Sequence, residues 1–457
     1  MKIESALDLN ATKSKSRLGE ALKISLPIMA SQFLLMIGGF ISNLMLSRVD
    51  DISFAAGLLI NAVQLSLILV IFGVLYALSP LIGKVMGEGT RPEQVGQMFL
   101  AGCSLSLLIC LPTIALLFFI KPILLVLGQP LSLVEATNRY FYIYLWAVPA
   151  VGLTSVYLQL LLGIMKQGIV FLYSICNLFV STILSYVLIF GKLGLPALGI
   201  EGLAWAALIT SWLAALFLGS FIVYHPSHRS YALLNFKFNL IRQHIKKILN
   251  VGLPISMQMG TEIFSFFITT IMVGWISIEA LEVQQVATRY LFLLVIPIVG
   301  LSQAATVVVS RFYGAEKLGE AKQAGQDYMR MGWLYSFIVL VAFALFPNIF
   351  IQIFIENRPD NQAIYQLLAI ILVLIALGQI FDAVRNILTG ALRGLQDTKF
   401  PMQVSMVMIW PVGLPLAYVM GFTLDGGLIG ITLAHDIVMA IGCGILYWRW
   451  KNRFKQF

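Results

Sequence analysis

The 457-residue chain is 59% apolar and only 11% charged, where a soluble domain carries roughly a quarter charged residues, so an ordinary water-soluble globule is excluded. Its net charge of +9 does not point to nucleic acid, because the basic residues gather in short connections and at both ends: Lys2, Lys13, Lys15 and Arg17; Arg242, Lys246 and Lys247; Arg449, Lys451, Arg453 and Lys455. That distribution is the positive-inside pattern of a membrane protein.

Met1–Arg17 is polar and has no apolar core ahead of a small-residue cleavage site, so no removable signal peptide is expected. Beyond it, apolar stretches recur that are greasy on every helical face, such as Leu65–Leu78 and Ile364–Ile380. A spanning helix needs about 20 such residues. Cutting at charged and Gly/Pro-rich joints predicts twelve transmembrane helices, near 24–47, 52–83, 94–119, 136–161, 167–190, 201–224, 250–276, 285–310, 326–350, 362–391, 400–422 and 427–448. The fold class is therefore all-α and polytopic. With this count one side collects nearly all the Lys and Arg, while the other is left with Arg48, Lys121, Lys192 and Arg358. Both termini are then expected on the cytoplasmic side of a cell inner membrane.

The expected domains are a first lobe at 1–224, a linker at 225–249 and a second lobe at 250–457. Within the linker Phe238, Ile241, Ile245 and Ile248 repeat at helical spacing, with Arg242, Gln243, Lys246 and Lys247 on the other face. This predicts an amphipathic helix lying on the cytoplasmic surface. Cys103, Cys110, Cys176 and Cys443 all fall in apolar segments without metal-ligand spacing, and read as small buried side chains.

The halves resemble each other at one offset. Leu26-Pro27-Ile28 recurs as Leu253-Pro254-Ile255, a shift of 227 (254 minus 27). Gly73 answers Gly300, Gly87 answers Gly314, and the Leu161-x-Gly163-x-Met165-Lys166 stretch answers Leu388-x-Gly390-x-Leu392-Arg393 at the same shift. Six spans per repeat is an even number, so both lobes keep one orientation and are related by an axis along the membrane normal. Such symmetry suits alternating access.

Charges within spans are costly and mark function by default. Glu262, Arg289, Asp382, Arg385 and Asp436 lie there. At the repeat offset Glu262 falls opposite Leu35 and Asp382 opposite Ser155, so the acidic site belongs to the second lobe. Glu262, Asp382 and Asp436 are the candidate cation- and substrate-binding residues. A carboxylate in a poorly hydrated pocket can hold a proton, or when ionised ligate Na+ or an organic cation. Arg289 and Arg385 read as charge partners, Arg385 lying at i+3 from Asp382 on one helix face. Pro27, Pro254 and Pro297 inside spans are expected to kink their helices.

No Walker-type phosphate loop is present, and the four histidines (His225, His228, His244, His435) form no metal or catalytic set. These features exclude an ATP-driven pump on this chain and disfavour a membrane enzyme. A passive channel or a flippase for a lipid-linked saccharide remain as other readings.

The chain resembles the multidrug and toxic compound extrusion (MATE) family over nearly its whole length, most of all its bacterial sodium-driven branch. The resemblance rests on Leu26-Pro27-Ile28 with Gly39-Phe40-Ile41-Ser42-Asn43-Leu44-Met45, on Gly252-Leu253-Pro254-Ile255 through Glu262, and on Asp382-Ala383-Val384 followed by Gly390-Ala391-Leu392-Arg393-Gly394. It implies two pseudo-symmetric six-helix lobes forming a V. It also implies export of small amphipathic organic cations in exchange for Na+ or H+, with no other cofactor, from a monomer in the lipid bilayer. The family's second-lobe cation site carries over to Glu262 and Asp382, a possible Na+ position. In the first lobe this chain departs from the family: its first-helix acidic residue falls at Ser42, beside Asn43, and Ser181 and Ser185 stand where many relatives have asparagine. Gly378 occupies the place of a tyrosine one turn before Asp382.

Overall fold

A computed structural model describes residues 14–89, 92–233, 235, 237–354 and 362–455. Lys2, Lys13 and Arg358 of the charge pattern lie outside the described residues. Eleven described helices are long and apolar enough to cross a membrane, and a bent pair completes twelve. The chain is thus a multi-pass membrane protein.

In the first lobe α1 (Ser14–Leu46) is followed by α2 (Asp51–Val70), which passes through a 3-10 turn at Phe72–Ala77 into α3 (Leu78–Glu88). Next come α4 (Glu93–Phe118) and a short α5 (Ile120–Val126). The fourth span is the pair α6 (Leu131–Tyr144) and α7 (Val148–Gly163), bent by 63°. Helices α8 (Gln167–Phe190) and α9 (Gly199–Tyr224) close the lobe. The second lobe holds α10 (Phe238–Gly274), α11 (Ile278–Gly314), α12 (Leu318–Leu345), a short α13 (Pro347–Gln352) and α14 (Gln362–Gly394). Its eleventh span runs from α15 (Lys399–Val407) through a π-helical stretch at Met408–Gly413, α16 (Leu414–Tyr418) and a second π stretch at Val419–Thr423. The chain ends with α17 (Gly427–Arg453).

Two expectations change. The segment 225–249 does not hold a separate surface helix: after a 3-10 turn at Pro226–Tyr231, α10 starts at Phe238 and runs unbroken into the seventh span. Apolar Ile241 and Ile248 are buried and join the main core with Ile245 packed against it, so the stripe packs on protein except at its exposed first member, Phe238. Pro27, Pro254 and Pro297, the positions of the expected kinks, sit inside α1, α10 and α11. The departures from α geometry lie in the second, fourth and eleventh spans, of which the eleventh carries Pro411 within its first π stretch. Finally, of the four unpaired cysteines Cys110 is buried but Cys176 is exposed.

The repeat governs local structure as well as sequence. Asp50 caps α2, its carboxylate accepting from the Ser53 amide at 2.7 Å. The equivalent position in the second half is Ser277, which caps α11 by accepting from Ala280 N–H at 3.0 Å. Each cap satisfies a helix-terminal N–H that otherwise has no partner.

The lobes meet reciprocally. Span one packs on span eight (α1 on α11), and span seven packs on span two (α10 on the Phe72–Ala77 turn). A Cβ at Gly73 would lie 3.3 Å from Ser256 Cα, and one at Gly300 would lie 2.9 Å from Met29 Cα. Those two contacts are the same contact made twice, because each partner is its counterpart's repeat equivalent. Likewise a Cβ at Gly87 would strike the Arg311 carbonyl oxygen, and one at Gly314 the Lys84 carbonyl oxygen. Gly83 meets Ser310, its own equivalent, so the pseudo-axis passes between them.

These junctions lie toward the end of the molecule where α1 begins and α17 ends. There a single apolar core joins both lobes, including Leu78, Ile82 and Leu161 from the first with Val307, Leu388 and Leu392 from the second. At the opposite end the second lobe has a core of its own, around Val283, Leu372 and Ile431. The far half of α1 loses cover accordingly: Phe33, Leu35, Met36, Phe40 and Leu44 are exposed, whereas Ile24, Ile28 and Ser31 are buried. The two six-helix lobes therefore share one end and part at the other.

Candidate functional site

Helix α10 brings two polar side chains to one face at i and i+4, Gln258 and Glu262. Helix α14, packed on α11, α12 and α17, does the same with Asp382, Arg385 and Asn386. Arg385 joins the two helices. Its Nη1 donates to Glu262 Oε1 at 2.9 Å, and its Nη2 and Nε donate to Asp382 Oδ1 at 2.8 and 3.0 Å. The guanidinium is 7% exposed, while Glu262 is 33% and Asp382 17% exposed. Burial on this scale leaves an arginine little choice but to be paired, and its fork geometry lets one side chain serve two carboxylates.

The surroundings complete the network. Asn386 Nδ2 donates to Asp382 Oδ2 at 3.0 Å, and the Asn386 carbonyl accepts from Ser302 Oγ of α11 at 2.7 Å. Gln258 Nε2 donates to Glu262 Oε1 at 3.3 Å, and Arg393 Nη2 donates to Gln258 Oε1 at 3.2 Å. A run of hydrogen bonds thus leads from Arg393 through Gln258, Glu262, Arg385, Asp382 and Asn386 to Ser302, fixing α10, α11 and α14 against one another.

Asp436 of α17 lies against the same helix α14 but in a different setting. It is 7% exposed, and its carboxylate fills the space that a side chain at Gly378 would need. Oδ1 is 3.8 Å from His435 Nδ1, and Oδ2 accepts no hydrogen bond among the described residues. The neighbouring Gln379, 2% exposed, likewise finds no partner for either amide atom.

Arg289, expected as a partner of the carboxylates, is placed elsewhere. Exposed on α11, it sets its guanidinium 5.5 Å from the Phe354 ring centroid, a cation–π contact. At the repeat-equivalent positions of the first lobe stand the uncharged Leu35, Ser155 and Leu158. Ser42 and Ser181 donate back to their own helix, to Gly38 O at 3.0 Å and Leu178 O at 3.1 Å, and Ser155 to Val151 O at 2.9 Å. Ser185 is 3% exposed, and Asn43 packs its side-chain oxygen beside Gly57. Polarity there centres instead on Gln64, which donates to Tyr140 Oη at 2.9 Å beside a small recess bounded by Phe72, Thr113 and Tyr144.

Gln258, Asn386 and Arg393 were not foreseen as site residues, nor was the meeting of Gly378 with Asp436. The first two carried a readable signal, since each is a polar residue one helical turn from an intramembrane acid. Among the described residues no group of three or more His, Cys, Asp or Glu side chains is disposed to hold a metal ion.

Comparison with known proteins agrees with this architecture. The family model described as MatE matches residues 27–187 and 254–419, two stretches whose starts differ by the repeat offset. The chain is 28% identical over 456 residues to a probable multidrug resistance protein NorM of a Synechococcus species, covering 98% of each chain. It is 26% identical over 437 residues to the protein of the same name from Rhizobium meliloti, covering 95% of this chain and 93% of that one. Among solved structures, a multidrug resistance MATE family transporter of the MOP superfamily in an outward-facing conformation superposes with a TM-score of 0.85 at 19% identity, covering 97% and 98% of the two chains. A MOP superfamily transporter from Pyrococcus furiosus, described as having a binding pocket of reverse polarity, gives 0.83 at 20% identity, covering 96% and 98%.

Proposed function

The chain belongs to the MATE family of membrane transporters, and from that premise we propose that it is a secondary antiporter. It exports small amphipathic organic cations by alternating access, exchanging them for Na+ or H+ at the carboxylates of the second lobe. The observation that carries this reading is the cluster of Glu262, Asp382 and Arg385, two acids sharing one guanidinium in a transmembrane position. Relatives named as multidrug resistance proteins support the substrate class.

In this scheme the termini face the cytoplasm of a cell inner membrane, so the shared core closes the cytoplasmic side and the parted lobes open outward. Glu262, the most exposed member of the cluster, meets the incoming ion or the organic cation. Either arrival weakens its pairing with Arg385, which then rests on Asp382 alone. Because α10 touches both the first lobe and the cluster, that exchange of partners is coupled to the lobe interface. The protein works as a monomer, and the ion gradient is its energy source.

Ethidium efflux from proteoliposomes carrying the purified chain, under an imposed Na+ gradient and separately a proton gradient, tests the reading. Efflux driven by one gradient, and reduced at least about tenfold in Glu262→Gln and Asp382→Asn proteins that remain monodisperse, is expected. Full efflux in Glu262→Gln would sink the assignment of the site.

One observation favours a second reading, flipping of a lipid-linked saccharide or similar lipid. Arg385 and Arg393 bring two guanidiniums to the same network, and anionic headgroups pair with arginine. Accumulation of a lipid-linked donor in a deletion strain would favour it.

A further inference from the structure

We propose that Arg385 is a built-in cation that occupies the place of a metal ion between Glu262 and Asp382, so that this antiporter does not take Na+ and exchanges its substrate for protons. The inference rests on the antiporter reading above and names its coupling ion.

Ligand geometry is the first ground. A Na+ ion at this site would need oxygens of both acids, yet three of their four oxygens are already engaged. Glu262 Oε1 accepts from Arg385 and Gln258. Asp382 Oδ1 accepts from two nitrogens of Arg385, and Oδ2 accepts from Asn386. The fourth is Glu262 Oε2, and a single oxygen does not make a coordination shell. A hard cation prefers several oxygens converging on one point, and here the point of convergence is the guanidinium.

Charge is the second ground. Arginine stays protonated at any working pH, so its charge cannot be removed to make room. A fixed positive charge within roughly 4 Å weakens binding of a second cation lodged between the acids by about a thousandfold at the effective dielectric of a protein interior, a penalty that falls with distance for an organic cation meeting Glu262 from its exposed side. Arg393 adds a second guanidinium one hydrogen bond further along, through Gln258. A proton escapes this exclusion, since it binds one carboxylate oxygen covalently and needs no coordination sphere. Protonating Glu262 or Asp382 removes one half of the arginine's pairing and frees it toward the other. Asp436 and Cys443 on α17 interact electrostatically with Asp382, and Tyr76 on the 3-10 turn with Arg393, while His435 lies against Asp436. None of them supplies a second full positive charge between the acids.

Purified wild type, Arg385→Gln and Arg385→Lys proteins distinguish the possibilities, with 22Na+ as the probe. Wild type and Arg385→Lys are expected to show no saturable 22Na+ binding at millimolar concentrations. Arg385→Gln, which leaves both acids in place, is expected to gain affinity by at least about a hundredfold and to bind saturably. In proteoliposomes the wild type should export ethidium under a proton gradient, unchanged when K+ replaces Na+, whereas Arg385→Gln should respond to Na+. Saturable 22Na+ binding by the wild type overturns the proposal, as does a monodisperse Arg385→Gln that binds none. Should Arg385→Gln not fold, Arg385→Met, which likewise removes the guanidinium and leaves both acids in place, takes its place. Absence of ethidium movement under either gradient would overturn the export reading and leave the 22Na+ result standing by itself.

Discussion

The carboxylate of Asp436 occupies the volume that any side chain at position 378 would fill. Two helices, α14 and α17, approach closely because one contributes a glycine and the other a compact acid.

Gly378→Ala is therefore expected to overpack the junction and lower stability by about 1–3 kcal/mol. Adding Asp436→Ala to it should recover most of that loss, since the two residues share one space and their effects cannot add. Melting of the single and double variants in detergent checks this. Equal, additive losses would show that Gly378 and Asp436 do not compete for one site.

At the lobe junction the obstacle to a larger residue is backbone, which cannot step aside. Gly87→Ala drives a methyl into the Arg311 carbonyl and Gly314→Ala drives one into the Lys84 carbonyl. Each variant should lose about 2–3 kcal/mol, the upper part of the overpacking range. By symmetry the two losses should be alike, and the double variant should cost less than their total, because spreading the lobes once relieves both. A thermal-shift series on the three proteins would expose any inequality.

Asp397, in the turn after α14, is 9% exposed and accepts from Arg449 Nε at 2.9 Å. Arg449 also lies over the Phe400 ring at 4.8 Å. Arg449→Ala leaves a buried acid unpartnered and should cost about 1–3 kcal/mol. Arg449→Lys, which keeps the charge but loses the planar fork, should fall between. Chemical or thermal denaturation of the three proteins ranks them.

His228, in the 3-10 turn outside the spans, is 3% exposed and bonds Ile222 O through Nδ1 at 3.0 Å. Burial pushes its pKa below the ordinary histidine range, only partly offset by that carbonyl, and His225 and Lys166 push the same way as burial. Because its folded-state value lies below the unfolded-chain value near 6.5, stability is intact above that value and is lost progressively as pH falls from it through the lower folded-state one. The melting temperature should drop between about pH 7 and pH 5, and His228→Gln should flatten the drop.

Much of this molecule was legible in advance because a bilayer forces its signature on composition. The fifth span, predicted at 167–190, is α8 at Gln167–Phe190, bounded by Lys166 and Gly191 where the lipid environment must end. The repeat offset was legible too, since symmetric glycines recur only where backbones must touch. The rest depends on tertiary partners. Hydropathy does not distinguish α geometry from the 3-10 turn at Phe72–Ala77 or the π stretches, all of which stay apolar. The stripe of Ile241 and Ile248 looks the same whether it faces lipid or protein. Arg289 and Arg385 are both arginines within spans, and only the path of α14 beside α10 decides that Arg385 reaches Glu262 as well as the Asp382 of its own helix. Asp436 lies where the repeat is loose, so its meeting with Gly378 had no sequence counterpart to announce it.

The pairing of Gly87 with Arg311 and of Gly314 with Lys84, with Gly83 against Ser310 between them, has the form of an isologous interface between identical subunits. A single six-span chain bearing the residues of either half would carry both sides of that contact and could close on a second copy of itself. The present protein is then a homodimer written as one polypeptide, whose halves are free to diverge everywhere except along the axis where each must still fit the other. The acids and the arginine of the second half are what that freedom allowed.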